Sequence, residues 1–219
     1  MERSLFSKGL LIMGLVAGCS GSNAGSPGAN GKSDAATPVD GGGQDAAPEM
    51  DASSGEDGGS SDDRIDPVVL GHAWTYDVTV LGTYPACVAG SHAATVLNEE
   101  MLGGRQAFQV ESFCPSAGSF FYSLDGDRVF TWIAMTWVLS LDTPVAAGHT
   151  WSNGVDSFTW QAVPSVTVPA GTFTNCWSAV EQVSYPTYTV FCRGVGPVHW
   201  HYEDGQGNGY EAVLTSKNF

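Results

Sequence analysis

Apolar and polar side chains alternate along much of the chain beyond residue 66, a pattern typical of β-strands with one buried face. The alternation is clearest over residues 74–80, where Trp74, Tyr76 and Val78 are separated by polar residues, and it returns over 108–112. The pair Gly103-Gly104, between the second and third predicted strands, predicts a hairpin turn. Further strands are predicted over residues 120–124, 129–133, 158–163, 176–183, 188–192, 198–202 and 210–215.

No window of the sequence sustains a helical period over three turns, so the predicted fold class is all-β. Short strands separated by frequent turn signals favour an antiparallel sheet that forms a half-open barrel or a sandwich. Composition changes sharply at Asp66-Pro67, beyond which all seven tryptophans are found. We therefore assign residues 67–219 to one β-domain, a length that can bury a sizeable core.

The first eighteen residues have the order of a secretory signal. Arg3 and Lys8 precede a short apolar run over residues 10–16, and Ala17 and Gly18 stand before Cys19. The run is shorter than the roughly 18 residues that a membrane-spanning helix needs. Residues 1–18 are therefore predicted to be a signal peptide that is removed on export.

Residues 19–66 are predicted to be a disordered acidic linker. They consist mainly of Gly, Ser, Ala, Asp and Pro, contain no aromatic residue, and cannot bury enough apolar surface to offset their ordering entropy. The whole chain has a formal net charge of −15. That acidity argues against nucleic acid as a partner, because nucleic-acid binding relies on phosphate neutralisation by Lys and Arg.

Four cysteines follow Cys19, and an even number in an exported domain indicates disulfides. They allow three connectivities. Cys176 and Cys192 flank a turn near residues 184–186, which favours pairing them and leaves Cys87 with Cys114. A metal site built from the four is disfavoured, since the sequence contains no C-x-x-C pair.

The segment Leu15-Val16-Ala17-Gly18-Cys19 resembles the lipobox of bacterial lipoproteins. The resemblance implies that Cys19 becomes the diacylated mature N-terminus, so that the membrane is a partner through its lipid. Ser20, rather than Asp, follows the cysteine, and the sorting pattern of Gram-negative lipoproteins then implies the outer membrane. The domain would face the periplasm or the cell surface.

Three sequence motifs resemble those of a loose group of exported bacterial β-domains of unknown function. They are a G-x-x-W-x-Y strand at Gly71–Tyr76, a V-P-A-G-T-F turn at Val168–Phe173, and a G-V-G-x-V segment at Gly194–Val198. The group is similar to half-open barrels that shelter acyl chains. The resemblance therefore implies a barrel. It suggests an acyl ligand only through analogy of fold, which says little about function.

The most chemical-looking feature is His199-Trp200-His201, because the two histidines of such a strand point to one face and suit a single metal. No spacing identifies a third ligand, so we expect a pair of surface or stacking histidines and no cofactor. The Gly-rich stretch 204–209 faintly resembles a calcium loop, but Thr215 stands where the closing Glu is required. A hairpin turn explains the same residues.

Nothing in the sequence supports nucleophilic catalysis, since no G-x-S-x-G motif occurs. We therefore predict a membrane-anchored envelope lipoprotein with a non-catalytic binding or structural β-domain. One alternative is a carrier or sensor of an apolar (acyl) ligand in a half-barrel, and another is a metal-dependent hydrolase that uses His199 and His201. An exposed planar row of tryptophans would instead indicate carbohydrate binding. The sequence leaves the oligomeric state open.

Overall fold

A computed structural model describes residues 62–219, so Cys19, the signal peptide and the predicted linker up to residue 61 lie outside the described residues. The described part is all-β, as the sequence predicts. Its one short helix is a 3-10 turn at Pro115–Ala117, and no helix from residue 62 onward is long and apolar enough to cross a bilayer. The strands are β1 (Ala73–Leu81), β2 (Gly90–Leu102), β3 (Arg105–Glu111), β4 (Ser119–Asp125), β5 (Arg128–Ile133), β6 (Thr136–Leu141), β7 (Thr150–Ser152), β8 (Ser157–Val168), β9 (Gly171–Glu181), β10 (Tyr188–Cys192), β11 (Gly196–Glu203) and β12 (Gly209–Lys217).

All twelve strands form a single antiparallel sheet, in the order β6-β5-β4-β3-β2-β1-β12-β11-β10-β9-β8-β7. Each strand pairs with its neighbour in sequence, except that β1 pairs with β12 and the sequence neighbours β6 and β7 form the two edges. The sheet curls into a nearly closed barrel. Of the two architectures that the sequence left open, the structure has the barrel, because one sheet rather than two encloses the core.

Indole hydrogen bonds cross the seam between the edge strands. The Nε1 of Trp151 in β7 donates to the carbonyl of Ser140 in β6 at 3.1 Å. The Nε1 of Trp160 in β8 donates to the carbonyl of Asp142 at 2.8 Å. Because unpaired edge groups are otherwise open to other chains, these bonds and the packed rings close the barrel where the backbone ladder stops.

The interior contains two clusters of buried residues. The larger lies beneath the central strands and includes Tyr76, Val198 and Leu214, and the smaller lies at the seam around Trp160 and Phe191. None of the seven tryptophans is fully exposed. The planar row of exposed indoles that carbohydrate binding would need is therefore not formed by these side chains.

Two disulfides join neighbouring parts of the sheet. Cys176 and Cys192 are register partners on β9 and β10, with Cα atoms 4.0 Å apart. Cys87 and Cys114 link the loop after β1 to the segment after β3. This is the pairing that the strand positions favoured, and each bridge is expected to contribute about 2–4 kcal/mol to stability.

Turn residues behave as their chemistry predicts. Gly103 has a φ of +54°, and a Cβ there would lie 2.3 Å from the Trp132 ring, so the β2–β3 turn requires glycine. In the β11–β12 turn the Asp204 carboxylate accepts hydrogen bonds from the backbone N–H groups of Gln206 and Asn208. That carboxylate organises a hairpin turn, as expected for the segment that faintly resembled a calcium loop.

Candidate functional site

The segment before β1 is packed against the barrel, although the sequence places residues 62–66 in the linker. Ile65 is fully buried in the seam cluster. Its N–H donates to Asp127 Oδ1 at 2.8 Å, and the carbonyl of Arg64 accepts from the N–H of Gly194 at 3.0 Å. Asp127 lies between β4 and β5 and Gly194 between β10 and β11, so the segment spans two connections that are distant in the strand order.

An ion pair reinforces this crossing. Arg193 Nη2 lies 2.8 Å from Asp127 Oδ2, and its Nη1 also bonds Asp127 Oδ1 at 3.3 Å. The same Nη1 donates to the carbonyl of Asp63 at 3.1 Å. Because Arg193 and Asp127 come from opposite halves of the sheet, this bidentate pair ties one mouth of the barrel together around the incoming chain.

Asp66 and Pro67 continue into the barrel, where Asp66 lies between two small cavities. One has a volume of about 40 Å³ and reaches Leu141 and Phe191, and the other has about 60 Å³ and reaches Trp74 and Phe113. Asp66, Tyr122 and Trp200 line both cavities. Burial raises the pKa of the Asp66 carboxyl to about 7.

Polar groups without partners point to the same interior. Thr189 is 1% exposed, its Oγ1 makes no hydrogen bond, and it lines the smaller cavity. The Nε1 of Trp200 lies near the Tyr76 hydroxyl without a hydrogen bond of ordinary geometry. The Tyr76 hydroxyl itself donates to the carbonyl of Pro197 at 2.8 Å. The interior thus combines apolar walls with a few hydrogen-bonding groups, in two cavities that are much smaller than a small-molecule pocket.

His199 and His201 lie on one face of β11, as predicted, but the structure gives each its own carboxylate. His199 Nε2 is 2.8 Å from Glu211 Oε1, and His201 Nε2 is 3.1 Å from Glu203 Oε1. The ring of Tyr188 stacks on His201 with centroids 5.3 Å apart. Among the residues from 62 onward, no group of three or more His, Cys, Asp or Glu side chains is arranged to hold a metal ion.

Sequence reasoning missed the residues that converge in and around the barrel. Asp66 marks the composition change and was assigned to the linker, while Asp127 and Arg193 sit in turns where charged residues are ordinary. Thr189 has one signal that sequence reasoning passed over, since it is a polar residue amid the apolar run of β10. Their proximity follows only from the closure of the sheet.

No protein-family model and no curated protein matches this chain. Two solved structures have a related shape. A candidate lipoprotein from Parabacteroides distasonis is 13% identical, with a TM-score of 0.39 over 71% of this chain and 98% of that one. A candidate exported protein with a YmcC-like fold from Bacteroides fragilis is 11% identical, with a TM-score of 0.40 over 70% of this chain and 98% of that one.

Proposed function

We propose that this chain is an exported lipoprotein of the bacterial outer membrane, anchored through Cys19, whose barrel is a non-catalytic binding module of the cell envelope. The signal-like N-terminus and the lipobox resemblance support export and anchoring. Two disulfides support an oxidising compartment.

The observation that carries the binding role is the barrel interior around Asp66, Thr189 and Trp200. Apolar walls with a few unpaired polar groups suit the retention of a ligand, and cavities of about 40 and 60 Å³ admit one larger than a few water molecules only if residues 62–68 leave the barrel. The same groups do not form the pairing of nucleophile and base that covalent catalysis requires, because Thr189 Oγ1 has no hydrogen-bond partner. The interior therefore favours binding over reaction.

A carrier or sensor of an acyl ligand is the second candidate, favoured by the same apolar interior. Cavities of about 40 and 60 Å³ are far below the roughly 300 Å³ of a ligand pocket, so an acyl chain does not fit while residues 62–68 are in place. That candidate requires the segment to leave the barrel, which would expose Ile65 and Val68. The Asp127–Arg193 pair opposes such a departure.

One experiment tests anchoring and ligand together. The full chain is expressed with its own signal in a Gram-negative host fed labelled palmitate, and it is analysed by membrane fractionation, native mass spectrometry and metal analysis. We expect palmitate label in the outer-membrane fraction and its loss in Cys19→Ser, with two disulfides and no stoichiometric metal.

The other outcomes separate the alternatives. Label that persists in Cys19→Ser would contradict the anchor. A non-covalent lipid mass on the Cys19→Ser protein would establish the acyl carrier instead. Stoichiometric metal that is lost in His201→Ala would establish the metal-dependent reading and overturn the non-catalytic one.

A further inference from the structure

A third pocket, distinct from the two interior cavities, lies at the end of the barrel opposite the Asp127–Arg193 pair. Strands β9 and β10 run between the two ends. Near the ion pair Cys176 is paired with Cys192, and at the other end Val180, which precedes the pocket residue Glu181, is paired with Tyr188. The pocket has a volume of about 390 Å³, within the size range of small-molecule sites. It is lined by Val155, Asp156, Ser157, Glu181, Gln182, Val183, Ser184 and Tyr185.

Glu181 is the unusual residue of this pocket. It is only 8% exposed, and its carboxylate makes no hydrogen bond or ion pair with any described residue. The neighbouring backbone N–H groups already have acceptors and do not bond the carboxylate. The N–H of Glu181 donates to the carbonyl of Thr187 at 2.9 Å, and the N–H of Gln182 donates to the carbonyl of Ser157 at 2.8 Å. The carboxylate oxygens of Glu181 stay accessible to solvent at the pocket, so the pocket presents a negative charge that no described residue pairs.

Residues 62–219 offer this carboxylate no countercharge. Asp156 lies on the same pocket wall and adds a second negative charge, which together with burial raises the pKa of Glu181 to about 7. The five Arg and Lys side chains between residues 62 and 219 all contact other groups: Arg64 with Asp62, Arg105 with Phe130, Arg128 with Asp142, Arg193 with Asp127 and Lys217 with Phe219.

The remaining walls suit an organic cation better than a bare metal ion. Val155 and Val183 are apolar, and Tyr185 also lines the pocket, with its ring packed against Gly205 of the β11–β12 turn. An ammonium group is attracted both to carboxylates and to the face of a tyrosine ring. Two carboxylates are few for calcium, which takes six to eight oxygen ligands.

We propose that this pocket is a binding site for a small organic cation, an aliphatic amine whose ammonium group pairs with Glu181 and Asp156 and whose carbon chain packs against Tyr185. The site is lined by other residues than the interior cavities, and the proposal does not depend on Cys19. Its failure would leave the outcome of the palmitate and lipid measurements unchanged, and the reverse also holds.

The test is calorimetric titration of the full-length protein in detergent with putrescine, near pH 8 where Glu181 is ionised. Butanediol, which has the same chain length without charge, is the control ligand. We expect putrescine to bind and butanediol not to bind. Glu181→Gln and Asp156→Asn should each weaken putrescine binding at least tenfold, and Asp77→Asn, which removes an exposed acid on β1, should leave it unchanged.

Thermal unfolding of the same variants shows whether a loss of binding is a loss of fold. Glu181→Gln removes a buried unpaired charge, so we expect its Tm to be no lower than that of the unsubstituted protein. Three results would overturn the proposal: no binding of putrescine, equal binding of butanediol, or undiminished binding by the Glu181→Gln protein. Calcium binding in place of putrescine would identify a metal site and would overturn it as well.

Discussion

At the scale of single residues, the motifs that stand out in the sequence contact one another. Trp74 Nε1 of the G-x-x-W-x-Y segment donates to the carbonyl of Val195 at 2.6 Å, and the Tyr76 hydroxyl donates to that of Pro197. Both acceptors belong to the G-V-G-x-V segment. These hydrogen bonds join β1 to the first residues of β11 and to the connection before it, so these two motifs describe how the barrel is built rather than what it binds.

Replacing Tyr76 with Phe tests this structural role. The substitution leaves the buried carbonyl of Pro197 without its donor, and we expect a loss of about 1–3 kcal/mol in the free energy of unfolding. Urea denaturation measures the effect. Tyr188→Phe is the matched control, because the half-buried Tyr188 contributes ring stacking but no hydroxyl hydrogen bond to the described residues. Equal losses in the two variants would contradict the assignment.

The histidine pair shows where residue-level prediction stops. Strand alternation was sufficient to place His199 and His201 on one face. It could not show that Glu211 lies beside them, because Glu211 belongs to β12 and reaches β11 only through the pairing register. A carboxylate beside each histidine gives each ring a hydrogen-bonding partner that the two residues alone do not reveal.

At the scale of secondary-structure elements, the sequence anticipates the central strands better than the edges. The predicted runs over 74–80, 120–124 and 188–192 correspond to β1, β4 and β10. No strand range is predicted over the edge strands Thr136–Leu141 and Thr150–Ser152, and the central β2 is predicted only through the turn at Gly103-Gly104. An edge strand is paired on one side only, so its residues are less uniformly buried and the alternation that reveals a strand weakens.

Trp151→Phe tests whether indole bonds close the barrel between these edges. Phe keeps an apolar ring and removes the donor to the Ser140 carbonyl, so we expect a loss of about 1–2 kcal/mol and faster hydrogen exchange of the β6 amides. Trp137→Phe is the control, since Trp137 donates to the carbonyl of Leu102 on one side of the seam. Unchanged exchange in β6 would show that the seam does not depend on this bond.

At the scale of the whole described domain, a single curled sheet surrounds a chain segment that enters it from the N-terminal side. Ile65 and Val68 supply part of the core, and Asp66 is carried into the interior between them. The two carboxyl groups with the most raised pKa values are that of Asp66, which lines the interior cavities, and that of Glu181, which lines the pocket at one end of the barrel. Neither has an ion pair.

Their burial predicts how stability depends on pH. Both folded-state pKa values are about 7, above the ordinary values of 3.8 and 4.5, so the folded chain binds more protons between pH 4 and 7. Stability from these groups is present below their ordinary pKa values and is lost as pH rises through about 7. Urea denaturation should show about 1–3 kcal/mol less stability near pH 8 than near pH 5.

The double variant Asp66→Asn/Glu181→Gln should lose most of this dependence, whereas Asp125→Asn, at an exposed position, should keep it. Asp62 and Asp142 have lowered pKa values, so the stability that they contribute declines only at more acidic pH. It therefore does not mask the difference in stability between pH 5 and pH 8. An unchanged difference between pH 5 and pH 8 in the double variant would contradict the assignment to these two groups.

The all-β class, most strands, the turn chemistry and the favoured cysteine pairing follow from the amino-acid sequence, because they depend on local periodicity and on residues close along the chain. The closure of one sheet on itself, the positions of Ile65 and Asp66 inside it, and the pocket that Asp156 and Glu181 share follow from the three-dimensional packing. Strand order and register bring together residues that are far apart in sequence. Whether a charged side chain is buried and unpaired can be judged only when the positions of all its neighbours are known.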